Sequence, residues 1–255
     1  MKRSLRSTCL IMLCTRLIVC LTINDGVLFR TKLFEPDYMY THNFVDAWEV
    51  DELVIVDITR GVRDRKKFLR TVRDISDKAF VPITLGGVHS SSCVAEFFNH
   101  GADKVLINTA AIEQPSLVTR IAEKYGNQAV VTGIDVKETA DGYRVFSHQG
   151  TVDTGKTPTS WAMEAERLGS GEILLTSIDL DGSLQGYDLT LTKAVVDSVS
   201  VPVVPLGGAG AWPHFVDAIK VGAHGVATQN IYHFTSSSIL SAKRVMKDNN
   251  ITVRM

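Results

Sequence analysis

The chain has 255 residues, a formal net charge of −1 at pH 7, and 45% hydrophobic residues. With so little net charge and no run of lysine and arginine, a nucleic-acid partner is not expected. No stretch approaches the roughly 18 uninterrupted apolar residues of a membrane span, so no membrane partner is expected either. The four cysteines show no paired spacing, which favours a reducing, cytoplasmic location over a disulfide framework.

The first eleven residues differ in character from those that follow. Lys2, Arg3 and Arg6 precede a short apolar patch, which Arg16 interrupts without a small-residue cleavage site. We therefore expect residues 1–11 to be an N-terminal extension, with Met12 a candidate for the native start. Residues 12–255 are then expected to form one domain.

Short apolar runs, rich in Val, Ile and Leu, recur along the rest of the chain. Eight of them, in order, are Leu17–Ile23, Leu53–Asp57, Val81–Leu85, Lys104–Ile107, Val130–Val136, Glu172–Ser177, Val201–Leu206 and Gly225–Thr228. Segments with helical periodicity lie between them, at Asp64–Ile75, Ser91–Asn99, Pro115–Tyr125, Thr159–Leu168, Leu189–Val199 and Trp212–Val221. Strands that alternate with helices of this length pair in parallel through right-handed crossovers. The pattern therefore predicts an α/β fold, a single (β/α)8 TIM barrel, rather than an open doubly wound sheet.

The two halves of the chain resemble each other. The run Glu52–Asp57 lines up with Glu172–Ser177, and Val81–Gly87 lines up with Val201–Gly208, which is one residue longer. The repeat predicts a barrel built from two duplicated half-barrels. Its ligand sites should then also come in pairs.

Polar residues and glycines follow the predicted strands, at the barrel face where active sites lie. Gly86-Gly87 with Asn108-Thr109 follows strands three and four, and Gly207–Gly210 with Gln229-Asn230 follows strands seven and eight. Glycines let the backbone approach an anion, and a following helix N-terminus offers free N–H groups. Glycines that end strands and polar residues that cap helices would give the same pattern at any single position. The paired arrangement favours two phosphate sites for one ligand phosphorylated at both ends.

Longer motifs resemble the HisF family, the cyclase subunit of imidazole glycerol phosphate synthase. They are Gly171–Asp188, Gly101–Ala111 and Gly207–Gly210, and the likeness runs from about Met12 to the C-terminus. The resemblance implies a half-barrel duplication and a HisH-like glutaminase partner docked at the barrel bottom. Ammonia from that partner would pass along the barrel axis and react at the top with a bis-phosphorylated ribonucleotide intermediate of histidine biosynthesis.

The resemblance also implies roles for individual residues. The family uses two carboxylates, after strands one and five; Asp135 matches the second, whereas Thr22 stands at the first, and a hydroxyl cannot replace a carboxylate near pH 7. Asp25 could substitute only if its loop folds inward. The residues expected to bind phosphate or substrate are Gly87, Asn108, Thr109, Thr176, Asp181, Gly182, Gly207, Gly208 and Asn230. Leu206 and Gln229 depart from the family pattern on this face.

At the opposite end of the barrel, the family's ammonia entrance is matched in full. Arg16, Glu52, Lys104 and Glu172 fall at the N-terminal ends of strands one, two, four and six, and Asp103 resembles a residue that contacts the glutaminase. The alternative is a purely structural ring of salt bridges that closes the barrel bottom. We favour the entrance, because charged residues without such a use would more readily be replaced by apolar ones.

The pattern of matches favours one hypothesis and leaves others open. A retained entrance with an altered strand-one residue resembles HisF-like proteins of surface-polysaccharide synthesis, which are thought to pass ammonia to a sugar amidotransferase that makes acetamidino groups. The alternatives are an active cyclase, the related sugar-isomerase barrel, against which the retained entrance speaks, and a non-catalytic phosphate-binding scaffold. No metal and no cofactor are expected, because the histidines lack ligand spacing and no dinucleotide fingerprint occurs.

Overall fold

A computed structural model describes residues 14–39, 50–229 and 238–254 of the chain. The predicted extension, residues 1–11, lies outside the described residues. The strands are β1 (Arg16–Asn24), β2 (Val27–Lys32), β3 (Glu35–Met39), β4 (Glu52–Asp57), β5 (Ile83–Gly86), β6 (Lys104–Ile107), β7 (Val130–Thr139), β8 (Gly142–Ser147), β9 (Val152–Asp153), β10 (Glu172–Ser177), β11 (Val203–Leu206) and β12 (Gly225–Thr228). The helices are α1 (Arg65–Ser76), α2 (Ser91–Asn99), α3 (Thr109–Glu113), α4 (Ser116–Tyr125), α5 (Pro158–Leu168), α6 (Leu189–Val196), α7 (Trp212–Lys220) and α8 (Ser238–Asp248).

Eight of the strands form a continuous parallel ladder in the order β12, β1, β4, β5, β6, β7, β10, β11. The ladder's two ends, β11 and β12, are consecutive in the chain, and the His224 N–H donates to the Val203 carbonyl oxygen at 3.0 Å. The predicted (β/α)8 barrel is therefore confirmed. All eight predicted apolar runs coincide with its strands to within two residues at the N-terminal end and three at the C-terminal end.

The buried residues fall into two cores on the two sides of the barrel wall. The larger core lies between the strands and the helices and contains Trp161, Phe97 and Phe215. The smaller core fills the barrel itself. Its members are Ile18, Cys20, Val54, Leu106, Val131, Leu174, Val204, Leu206 and Ala227. Strands that are buried on both faces need apolar residues at successive positions. The strand sequences are therefore continuously apolar and do not alternate between apolar and polar residues.

Local sequence fixes where several helices begin and end. The carboxylate of Asp64 accepts a hydrogen bond from the Lys67 N–H at the start of α1, and Asp188 caps α6 in the same way. Helix α5 begins after the cap Thr157, with Pro158 in its first turn, and ends at Leu168, before the C-cap Gly169, whose φ of 107° is left-handed. These signals explain why the predicted helix bounds hold to within a few residues.

Antiparallel hairpins follow barrel strands one and five and were not anticipated from the sequence. The first, β2 with β3, pairs with β1, and Thr22 stands opposite Phe29. The second, β8 with β9, pairs with β7, and Asp135 stands opposite Phe146. The equivalent hairpins support the predicted duplication, and they place Thr22 and Asp135 at equivalent positions. The sequence analysis also missed α3 and α8.

Candidate functional site

A cavity of about 580 Å³ opens at the C-terminal ends of the barrel strands. Barrel strands contribute Thr22, Asp135 and Thr176 to its wall, Gln229 directly follows β12, and the loops contribute Arg63. Polar side chains thus meet above an apolar barrel interior, as the strand ends predicted. We refer to this cavity as the mouth.

Asp135 is the titratable group best suited to chemistry in the mouth. Its Oδ2 accepts a hydrogen bond from Asn108 Nδ2 at 2.7 Å. Burial raises the pKa of Asp135 to about 7, even though hydrogen bonds from Asn108 and Thr176 act to lower it. A carboxyl group that titrates near neutral pH can both accept and release a proton there, which general acid–base catalysis requires.

The raised pKa has a consequence for stability. The folded state disfavours ionisation of Asp135, so its contribution to stability is full below the unfolded pKa near 4 and is lost as pH rises to about 7. Asp135→Asn is therefore expected to raise the free energy of unfolding by about 2 kcal/mol at pH 8 and to have little effect at pH 4. Urea unfolding at the two pH values measures this. An equal effect at both would mean that the pKa is not raised.

Thr22, at the position equivalent to Asp135, is engaged by the chain itself. Its side chain is buried, and its hydroxyl donates to the Phe29 carbonyl oxygen of the neighbouring hairpin. Gln229 Oε1 lies 3.4 Å from the same hydroxyl. Thr22 therefore lines the mouth but offers no group that titrates there.

Asp25 does not fill the place of the missing carboxylate. It lies in the turn after β1, with a φ of 49°, and its side chain is 69% exposed. Its carboxylate pairs with Lys67 of α1 at 2.8 Å, on the outside of the barrel. Its loop does not fold inward, and Asp25 does not line the mouth.

Gln229 connects three parts of the chain beside Thr22. Its Nε2 donates to Thr31 Oγ1 at 2.8 Å and to Asp181 Oδ1 at 3.1 Å. The other oxygen of Asp181 accepts from the Phe34 N–H at 3.0 Å. Burial raises the pKa of Asp181, against the hydrogen bonds from Phe34, Thr31 and Gln229, which lower it. Asp181, which the sequence analysis assigned to substrate, is thus surrounded by donors of the chain and does not line the mouth.

The first predicted phosphate site lies at the edge of the mouth. Gly87, with a φ of 104°, lines the mouth together with Asn108 and Thr109. The hydroxyl of Thr109 accepts from the His148 N–H at 2.9 Å, whereas Asn108 Oδ1 is buried without a hydrogen-bond partner. The side chain of Arg63 lies beside Gly87, a neighbour that sequence reasoning missed.

The second predicted phosphate site is packed against the chain. A Cβ atom on Gly208 would lie 1.9 Å from the Gly186 carbonyl oxygen, and one on Gly207 would lie 2.6 Å from that of Ser177. The Gly186 N–H also donates to the Gly208 carbonyl oxygen at 2.7 Å. The glycines here therefore permit close packing of the loop after β10.

The remaining members of the predicted set are dispersed. Thr176 is buried and lines the mouth beside Asp135. Gly182, with a φ of 72°, packs against Lys32 of the first hairpin and does not line the mouth. Asn230 lies outside the described residues.

At the other end of the barrel, the four predicted entrance residues form a closed ring. Arg16 donates to Glu52 Oε2 at 2.8 Å and to Glu172 Oε1 at 2.6 Å. Lys104 Nζ donates to Glu52 Oε1 at 2.9 Å and to Glu172 Oε2 at 2.8 Å. Thr84 Oγ1 adds a hydrogen bond to Glu52 at 2.9 Å. Cations and anions thus alternate around the axis, and we call this set the charged ring.

Electrostatics hold the charged ring in its ionised form. Burial would raise the pKa of Glu172, but hydrogen bonds and charges from Arg16 and Lys104 outweigh it and lower that pKa. Burial likewise would lower the pKa of Arg16, and the two glutamates raise it instead. Asp103 lies beside the ring, exposed, with Oδ2 accepting from the Ile83 N–H at 2.8 Å.

A loop that sequence reasoning missed reaches across the mouth. His148 and Gln149 both have left-handed backbones, with φ of 50° and 57°, at the tip of the second hairpin. Gln149 Nε2 donates to the Ile58 carbonyl oxygen at 3.1 Å, on the strand-two side. Nothing in the local sequence indicates this contact, because its partners lie about ninety residues apart.

None of the helices in the described ranges combines the length and the hydropathy that a bilayer span requires. The same residues contain no group of three or more His, Cys, Asp or Glu that could hold a metal ion.

Comparison with known proteins gives one consistent result. The family model described as "Histidine biosynthesis protein" matches residues 16–238. The imidazole glycerol phosphate synthase subunits HisF of Pelodictyon phaeoclathratiforme and Chlorobium phaeovibrioides are each 41% identical over 251 residues, which cover 96% of this chain and all of theirs. The HisF subunit of a Thermotoga species is 38% identical over 250 residues, which cover 96% of this chain and 99% of its own.

Proposed function

Because the chain belongs to the HisF family of histidine biosynthesis proteins, we propose that it receives ammonia from a HisH-like glutaminase through the charged ring. Since its mouth lacks the strand-one carboxylate, the ammonia is not used for cyclisation there but passes to another acceptor. The observation that carries this proposal is the contrast between the two ends of one barrel: the charged ring is complete, and the mouth is altered.

The charged ring supports the first half of the proposal. A ring of four charges around the axis costs desolvation free energy unless every charge is paired, and here each member has two partners of opposite charge. Above the ring lies the apolar layer of the barrel interior. Ammonia is small and neutral, so an apolar layer disfavours it less than it disfavours ammonium or other ions.

The mouth supports the second half. Asp135 alone of the two expected carboxylates is present, and the equivalent position holds Thr22, whose hydroxyl is bonded to Phe29. Asp25 is turned toward Lys67. Loss of one acid–base partner typically costs 10²–10⁴-fold in rate.

For the acceptor, we propose a sugar amidotransferase that makes acetamidino groups for surface polysaccharide. This partner would take up ammonia that the glutaminase releases and this chain conducts. It would bind either this chain or the glutaminase, and the altered mouth together with the intact ring supports an acceptor outside the barrel.

An active cyclase is the alternative that a specific observation favours. Asp135 has a pKa of about 7, which suits one residue to act first as an acid and then as a base. In that case the bis-phosphorylated intermediate would be turned over with ammonium alone. A second alternative, a phosphate-binding scaffold, has no use for the charged ring.

Lys104→Met tests the entrance. The variant keeps the side-chain length but leaves two glutamates facing one arginine, so we expect it to abolish the stimulation of glutamine hydrolysis by this chain. The measurement is glutamate release by the HisH-like glutaminase of the same organism, with and without the chain. Lys193→Met is the matched control, since Lys193 is 55% exposed and, among the described residues, forms an ion pair only with Asp197, the C-cap of its own helix. Equal stimulation by both variants would overturn the entrance role.

A further inference from the structure

A buried ion pair outside both the mouth and the charged ring joins helix α8 to the residue before Glu52. Lys243 of α8 donates from Nζ to Asp51 Oδ1 at 2.8 Å, and the two side chains are only 4% and 7% exposed. We propose that this pair positions Arg16 and Glu52 in the charged ring, so that ammonia enters the barrel efficiently. The inference rests on the proposed function in taking the charged ring to be the ammonia entrance.

The carboxylate of Asp51 fixes the start of strand one. Its Oδ2 accepts a hydrogen bond from the Leu17 N–H at 2.8 Å, and the Asp51 N–H donates to the Leu17 carbonyl oxygen at 3.0 Å. These bonds extend the ladder between β1 and β4, whose register begins with Ile18 opposite Glu52. Leu17 directly follows Arg16, and Glu52 directly follows Asp51. One carboxylate therefore sets the backbone positions from which two members of the ring reach each other.

The residues after α8 hold the other side of Arg16. The Thr15 N–H donates to the Thr252 carbonyl oxygen at 2.8 Å, four residues beyond the end of the helix. Arg16 thus lies between two anchored residues, Thr15 and Leu17, and each anchor leads back to α8 or to the segment that follows it. Because Arg16 donates to two glutamates of the ring, at 2.8 and 2.6 Å, its backbone can move little without the loss of one bond.

Lys243 is needed because the Asp51 side chain is buried. Removing one partner of a buried pair leaves an uncompensated charge, which costs far more than removing both partners. Without the lysine, the carboxylate would turn toward water or gain a proton, and the Leu17 N–H would lose its charged acceptor. An asparagine at position 51 could accept the same hydrogen bond and needs no cation. A pair that only fastens α8 to the barrel would need both charges, so the two roles predict different results for a double variant.

Three forms of the whole chain test this inference: Lys243→Met, the double variant Asp51→Asn with Lys243→Met, and Lys247→Met. Glutamate release by the HisH-like glutaminase of the same organism is measured against the concentration of the chain. Lys243→Met should lower the maximal stimulation at least about fivefold, because a displaced ring admits ammonia poorly. The concentration that gives half of this maximum should stay within about twofold, whereas a smaller folded fraction would raise it.

The double variant and the control identify the cause of that loss. With both charges removed and an acceptor retained for the Leu17 N–H, the double variant should recover at least about half of the native stimulation. Lys247 is an exposed lysine one turn further along α8, and Lys247→Met should behave as the native chain does. A double variant that stimulates no better than Lys243→Met alone would mean that the pair only fastens α8, and it would overturn the inference.

A double-mutant cycle tests the positioning without the glutaminase. If Lys243 positions the ring, Glu172→Ala should raise the unfolding equilibrium constant at least about fivefold less in the Lys243→Met background than in the native chain. In the Lys247→Met background the effect of Glu172→Ala should be unchanged. Additive effects of Lys243→Met and Glu172→Ala would overturn the inference.

Lys104→Met separates the inference from the proposed function. If Lys104→Met abolishes stimulation and Lys243→Met leaves it at the native level, the inference is overturned and the proposed function stands. If Lys104→Met stimulates as the native chain does, the proposed function is overturned, and the double-mutant cycle decides whether Lys243 positions the ring.

Discussion

Replacing Glu172 by alanine is expected to lower the free energy of unfolding by about 3 kcal/mol at pH 7, because it removes one anion from a ring of four largely buried charges. Arg16 and Lys104 would then share Glu52 alone. The cost comes mainly from the two cations that are left without this anion. The side chains of Arg16 and Lys104 are only 26% and 19% exposed, so water solvates them poorly. Urea unfolding, followed by circular dichroism, measures the effect.

The control for this variant is Glu164→Ala. Glu164 also forms a salt bridge, with Lys156 at 2.7 Å, but both side chains are about one-third exposed, so the expected cost is below about 1 kcal/mol. The pKa of Glu172 is lowered in the fold, so its stabilising contribution is present above its unfolded pKa and is lost as pH falls through the folded value. The difference between the two variants in free energy of unfolding should therefore become smaller at acidic pH. Equal costs at pH 7 would mean that the charged ring stabilises no more than a surface pair.

Restoring a carboxylate on strand one should not restore a cyclase. In Thr22→Asp the new side chain would face the Phe29 carbonyl oxygen and Gln229 Oε1, and it could donate to neither once ionised. It would also add a negative charge to a region that already holds Asp135 and Asp181. We expect a loss of about 3 kcal/mol in the free energy of unfolding at pH 8, and no turnover of the bis-phosphorylated intermediate with ammonium.

The pH dependence identifies the cause of that loss. The pKa of the introduced aspartate would be raised in the fold, so the destabilisation should grow as pH rises from 4 to 8. Thr22→Val, which removes the hydroxyl and adds no charge, should cost about 1 kcal/mol at every pH. Turnover in Thr22→Asp, with stability near that of the native protein, would contradict this expectation and show that the missing base alone limits the reaction.

Local signals explain why so much of the fold could be predicted from the sequence. Strands of a covered parallel sheet need apolar side chains on both faces, so runs such as Glu172–Ser177 stand out from the helical segments around them. The charged ring was predicted from the resemblance to the HisF family, whose ammonia entrance has charged residues at the matching positions. Glu52, Lys104 and Glu172 come from alternate barrel strands, which bring such positions into one layer, and Arg16 of the neighbouring strand one joins them there.

The mouth was less predictable because its decisive contacts join distant segments. Gln229 reaches Thr31 across 198 positions of sequence, and no local pattern reports such a pair. The glycines at positions 207 and 208 were read as an anion site, although they equally permit the close approach of the loop at Gly186. A glycine marks a place where something comes near the backbone. Only the tertiary structure distinguishes a ligand from another part of the chain.

The equivalence of Thr22 and Asp135 likewise depends on structure that the local sequence did not predict. The sequence repeat was detectable, but the hairpins that follow strands one and five were not anticipated. Their register sets Thr22 opposite Phe29 and Asp135 opposite Phe146. The duplication within this one chain therefore places Thr22 at the position equivalent to Asp135, where the resemblance to the HisF family implies a second carboxylate.

The most direct test of the account is a stoichiometry measured in one reaction. The chain, the HisH-like glutaminase of its organism, glutamine and the bis-phosphorylated ribonucleotide intermediate are combined, and glutamate and imidazole glycerol phosphate are measured together. We expect glutamate release that depends on the chain and no imidazole glycerol phosphate. One imidazole glycerol phosphate for each glutamate would contradict the account and establish a working cyclase that needs only Asp135.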